Sequence, residues 1–312
     1  MAAYLKRTTP GTQLAFLFLL CVAFLFLYFM LSAALLLHTA HVSMEQLKDH
    51  LQDANLLGYM KLAQFGYTIM VFLLPPVVLS VLTQDSPATW LGLRGPIRWR
   101  QAAWAIFALV VVTPLVGWTA QWNETWPVSE SLRQAEKDAD ALVKSFLAGR
   151  SVGTLLVNLA LIALVPAIAE ELFFRAGVQK LLAQITHKKW LAVVITGVVF
   201  SAIHFEALGF IPRVILGCLL GAIYIITGRL WLSILVHFVN NGIQVGAFYL
   251  FNTGVLKSDP SVGDHVAWYS ALISIMVTVV AIMMLQRVSP HPALSFMEKA
   301  ETGTPENDNT QF

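Results

Sequence analysis

The sequence predicts an all-α polytopic membrane protein with about eight transmembrane helices, and three observations carry that expectation. Of 312 residues, 57% are hydrophobic and only 12% charged, against about 25% charged in an ordinary soluble domain; the mean hydropathy is +0.69. Apolar runs recur at 12–38, 63–83, 102–120, 152–176, 190–206, 211–227, 230–251 and 266–286, and about 20 such residues cross a hydrocarbon layer. The nine tryptophans fall between these runs or near their ends, where an interfacial aromatic belt belongs.

Taken in order, the first run follows Lys6 and Arg7. It is longer than the apolar region of a signal peptide, about 7–15 residues, so a retained anchor is expected. Pro75 and Pro76 in the second run imply a kink that neighbouring helices tolerate. Two connecting segments are amphipathic. Residues 43–57 place Met44, Leu47 and Leu51 at helical spacing, and residues 129–147 repeat the pattern behind Ser129, a natural N-cap. Both read as helices lying on the membrane surface with no catalytic role. The polar tail from Val288 reads as disordered.

With the N-terminus inside, the short inner loops hold Lys6, Arg7, Arg94, Arg98, Arg100, Lys180, Lys188, Lys189, Arg229 and Arg287. They are richer in cations than the outer loops, and an even helix count returns the C-terminus to the cytoplasm. The expected location is a membrane with both termini cytoplasmic, the bacterial inner membrane ahead of the endoplasmic reticulum. A net charge of +2 gives no reason to expect a nucleic-acid partner. Cys21 and Cys218 both sit in apolar runs, which argues against a disulfide framework. Gly217 and Gly221 flank Cys218 as a small-xxx-small face suited to close helix packing.

Ionisable residues inside a membrane are costly, and each is a functional hypothesis. Of the acids, only Glu170 and Glu171 lie inside an apolar run, with Glu206 at an edge; of the histidines, His204 and His237 are well inside and His38 sits at the end of the first run. Asn158, Asn240 and Asn241 complete the set. Glu171 and Arg175 are four apart with the acid first, the favourable order for an ion pair. Adjacent helical residues point about 100° apart, so Glu170 faces elsewhere and is free to accept a proton. His237 and Asn241 share a face, and an imidazole beside a carboxamide can donate to a developing oxyanion. Glu170 and His204 each lie seventeen residues from a turn near His187, about 25 Å of rise and therefore level. The same reckoning leaves His237 about two turns short, a gap that tilt or a kink has to close.

In chain order, "EELFFR" from Glu170, "FSAIH" from Phe200 and "HFVNN" from His237 fit EExxxR, FxxxH and HxxxN. Together they resemble the CPBP (Abi) family of intramembrane proteases, which includes the type II CAAX prenyl endopeptidases and bacteriocin-processing or immunity proteins. The resemblance covers about residues 152–252. It implies an intramembrane endopeptidase acting on a membrane-associated, in some members lipidated, protein or peptide. It implies that Glu170 activates water with help from His204, and that His237 and Asn241 stabilise the oxyanion. Glu171 and Arg175 would brace the site, with Phe200 packed beside it. Hydropathy and resemblance together give the expected organisation: three membrane helices with amphipathic outer loops over 1–151, a CPBP-like catalytic core of four helices over 152–252, a final membrane helix over 253–287 and a polar disordered tail over 288–312.

Two other readings of the same residues stay open. Glu170, His204 and His237 could hold zinc with an open position, although HExxH is absent; a metal-free reaction is favoured and no cofactor is expected. A transporter, scaffold or immunity protein would use the buried groups without proteolysis, but no paired inverted repeat supports transport.

Overall fold

The computed structural model describes residues 8–39, 54–263 and 265–289. Helix α1 is Pro10–Thr39 and α2 runs through Ala54–Tyr67, Thr68–Leu73 and Leu74–Thr83. They are followed by α3 Trp99–Glu124, α4 Glu130–Leu147, α5 Val152–Thr186 and α6 Lys189–Ala202. The last three are α7 Phe210–Thr227, α8 Leu230–Asn252 and α9 Trp268–Arg287. No strand occurs among the described residues. Seven of these helices (α1, α2, α3, α5, α7, α8 and α9) are long and apolar enough to cross a membrane, so the chain is an all-α, multi-pass integral membrane protein.

The expected eighth span is α6, and it is shorter than the apolar run suggests. Its 14 residues rise about 21 Å, less than the roughly 30 Å hydrocarbon core. The helix ends at Ala202, leaving His204 in the turn that follows. Conversely, α5 continues ten residues past the expected end at 176, so that Lys180, expected in a loop, is buried within the helix. The segment 43–57 and the tail lie largely outside the described residues.

Prolines change the register of two spans. Proline lacks an N–H and its ring clashes with the carbonyl four residues back. Before Pro75 and Pro76 the chain is π-helical over Thr68–Leu73, and the Leu74 N–H donates to Ile69 O. Before Pro166 it is π-helical over Leu159–Leu164, with the Val165 N–H donating to Ala160 O. The expected kink is thus a shift to i→i+5 bonding. A third π segment, Leu172–Gln179, contains no proline and follows directly after Glu171; such segments concentrate at functional sites.

Two apolar cores flank the centre of the bundle. One joins α1, α2, α5 and α6 through Leu17, Phe72, Leu79, Phe173, Phe174 and Phe200. The other joins α3, α7, α8 and α9 through Ala108, Val112, Ile223, Val236, Ala281 and Leu285. Between them α6 and α7 cross closely. A Cβ built on Gly217 would meet the Gly197 Cα at 3.0 Å, and one on Gly197 would meet Cys218 Sγ at 2.7 Å. Gly197→Ala is therefore expected to destabilise by about 1–3 kcal/mol through overpacking, read as a lower melting temperature in detergent. An unchanged melting temperature would mean that the crossing can open at no cost.

One end of the bundle is tied by the 84–98 connection. Trp90 O accepts from Lys180 Nζ, whose ammonium lies 4.4 Å from the Trp90 ring centre. Gly92 O accepts from the Leu230 N–H at 3.3 Å, and Leu93 O from Trp231 Nε1 at 2.9 Å. Lys180 and Leu230 consequently share one level. At the opposite end α4 lies across the bundle. Ser129 caps it as expected, accepting from the Leu132 N–H at 3.3 Å. Phe146 and Leu147 are buried, Lys144 pairs with Asp259 at 3.3 Å, and Asn252 Nδ2 donates to Leu147 O at 2.8 Å.

Candidate active site

From the shared level of Lys180 and Leu230, Glu171 lies nine residues along α5 and His237 seven along α8. The two-turn gap expected from the spacing closes because α5 overshoots that level before its turn, where His187 sits at φ 54°. The side chains meet. His237 Nδ1 lies 3.0 Å from Glu171 Oε1, and Glu171 Oε2 lies 3.2 Å from Arg175 Nε. Glu171 and Arg175 are wholly buried. A buried ion pair gains from further polar contacts; here Arg175 Nη2 donates to Gly217 O at 3.3 Å and the guanidinium lies 5.3 Å from the Phe200 ring centre, while Arg175 Nη1 has no hydrogen-bond partner among the described residues. Glu171 therefore holds two partners, one more than the brace its spacing suggests.

Glu170 turns from this pair toward a cavity of about 460 Å³ between the two cores. His204, His237, Asn241 and Phe200 line the same cavity, so every residue expected to act there is at or beside one space. Glu170 Oε2 is 3.9 Å from His237 Nε2, beyond a hydrogen bond, and its side chain is 15% exposed. His204 Nδ1 lies 2.7 Å from Phe200 O. A carbonyl only accepts, so Nδ1 carries the proton and Nε2 is the acceptor left. By the same rule His237 gives its Nδ1 proton to the Glu171 carboxylate; its Nε2 accepts when the ring is neutral and donates when it is a cation. Asn241 Oδ1 accepts from Asn240 Nδ2 at 3.1 Å, which leaves the Nδ2 donors of Asn241. The Phe200 ring stacks edge-on between Phe174 at 5.2 Å, His204 at 5.1 Å and His237 at 6.0 Å.

Asn158 is not part of this group: it accepts from Lys61 Nζ at 2.9 Å. Among the described residues no group of three or more His, Cys, Asp or Glu side chains is placed to hold a metal ion. Three contributors are invisible to the spacing argument. Gln64 of α2 and the α4 face carrying Leu142 and Phe146 line the cavity, so the amphipathic helix expected merely to lie on the surface forms one of its walls. Nothing local in the sequence marks them, because their neighbours in space are far along the chain.

Fold and site together define a multi-pass membrane protein with a largely apolar cavity into which a few ionisable and amide side chains project. Residues 152–243, under a third of the chain, are similar to the family described as type II CAAX prenyl endopeptidase Rce1-like. No curated protein and no solved structure gives a significant match.

Proposed function

We propose that the chain is a glutamate-dependent intramembrane endopeptidase that hydrolyses a peptide bond of a membrane-associated or lipidated protein or peptide. The observation that carries this reading is the division of the two glutamates: Glu171 is bound to Arg175 and His237, whereas Glu170 faces the cavity beside His204. In this mechanism the Glu170 carboxylate takes a proton from water, oriented by His204 Nε2, as the water oxygen attacks the scissile carbonyl carbon. The oxyanion that forms accepts from Asn241 Nδ2 and from His237 Nε2 in its protonated form, whose positive charge Glu171 balances. When the C–N bond breaks, Glu170 returns its proton to the departing nitrogen, and the products are a carboxylic acid and an amine, which become carboxylate and ammonium as the acid's proton passes to the amine. No step passes through a metal.

The test is cleavage of a farnesylated fluorogenic peptide ending in Cys-aliphatic-aliphatic-X by purified protein in lipid nanodiscs. Mass spectrometry identifies the bond cut, and the Glu170→Gln protein is the control. Activity is expected to persist through chelation by 1,10-phenanthroline at about 1 mM, with less than stoichiometric zinc by elemental analysis. Stoichiometric zinc together with activity lost on chelation would sink the metal-free route and favour Glu170, His204 and His237 as ligands.

A further inference from the structure

His204 does not lie in a regular helix. It sits in the 203–209 connection between α6 and α7, and Phe205 beside it has φ 54° with its side chain 85% exposed. A bulky residue in the left-handed region is strained, and such a conformation persists only where its surroundings over-determine it. The burial of Phe205 supplies nothing toward that, so the hold must come through the backbone that follows.

That backbone is held from two sides. Glu136 of α4 accepts from the Ala207 N–H at 2.7 Å and from the Leu208 N–H at 3.2 Å. Asn123 at the end of α3, wholly buried, donates from Nδ2 to Ala207 O at 2.7 Å and accepts the Ile211 N–H at 2.8 Å. Arg213 forms an ion pair with Glu206 and lies in the field of Glu136 and Asp140. Hydrogen bonds to a charged acceptor are about twice as strong as neutral ones, and Glu136 makes two to consecutive amides. The same helix presents Leu142 and Phe146 to the cavity.

We propose that Glu136 is a positioning residue: by clamping the Ala207 and Leu208 amides it fixes the turn that presents His204 Nε2 to the cavity. This joins the wall formed by α4 to the catalytic geometry, and it rests on the hydrolytic reading above for its effect on rate. Asn123 clamps the same turn from the opposite side, and it completes the hold from α3.

Glu136→Ala is expected to lower kcat on the farnesylated peptide by about 10-fold to 100-fold, as a small displacement of a catalytic group does, with KM little changed. Glu136→Gln, which keeps one acceptor oxygen, should recover much of the loss. Hydrogen–deuterium exchange of the 205–211 segment should quicken in Glu136→Ala while that of α6 does not. Lys144→Ala, which unties α4 from Asp259 elsewhere, should leave exchange at 205–211 as in wild type. Unchanged exchange in Glu136→Ala, or a rise in KM with kcat intact, would overturn the assignment. If wild-type protein cleaves no farnesylated peptide, it is the hydrolytic reading that fails. The clamp is then judged by the rate at which diethyl pyrocarbonate modifies His204: a faster rate in Glu136→Ala upholds it and an equal rate removes it.

Discussion

Replacing Glu170 with glutamine is expected to slow peptide cleavage by about 10²–10⁴-fold, the range a general base contributes, while leaving the folded yield and melting temperature near wild type. Glutamine keeps the volume and one acceptor oxygen but cannot take a proton from water. The fold does not depend on the charge that is lost. Glu170 has no hydrogen bond to His237, only an approach of 3.9 Å, and the ion pair that crosses the bundle belongs to its neighbour. Initial rates in nanodiscs, with thermal unfolding followed on the same preparation, separate the two effects. A Glu170→Gln protein that folds normally and cuts the peptide at an undiminished rate would end the general-base assignment.

Arg175→Ala is expected to act in the reverse sense, on the fold first. Arg175 is wholly buried, 3.2 Å from Glu171, bonded to Gly217 O and packed against Phe200. Its removal leaves the Glu171 carboxylate in an apolar interior with His237 as its remaining partner, and breaking a buried pair costs about 3–5 kcal/mol. The expected result is a marked fall in monodisperse protein on size-exclusion chromatography. A second variant distinguishes the unpaired charge from simple loss of volume. Glu171→Gln combined with Arg175→Met removes both charges and fills most of the space, so it should restore yield without restoring activity. Unchanged yield and activity in Arg175→Ala would remove the brace.

How far the sequence could be read follows from the range of each interaction. Membrane spans are written locally: a run of apolar residues announces itself, and α7, α8 and α9 lie within about two residues of where the hydropathy puts them. The Glu171–Arg175 pair is legible for the same reason, since both members stand on adjacent turns of one helix. His237 is harder to place. Its depth depends on where each turn lies relative to the others, and that is fixed by Trp90 holding Lys180 and Gly92 holding Leu230. The π segments carry a partial signal in Pro75 and Pro166 and none in Leu172–Gln179. Glu136 looks like any other charge on an amphipathic helix, because its significance comes from two amides some seventy residues away.

The cavity has one further meaning. The stretch similar to the Rce1-like family contributes the acids, imidazoles and carboxamide and most of the lining, and the chain that precedes it adds one part of the wall through Gln64, Leu109, Leu142 and Phe146. One side of the vessel is thus encoded apart from the polar groups it faces. A graft that carried only residues 152–243 into another protein would transplant the polar groups and leave behind the wall that α2, α3 and α4 supply. What the cavity admits can accordingly be varied from the first half of the chain, one wall residue at a time, with Glu170, His204, His237 and Asn241 left as they stand.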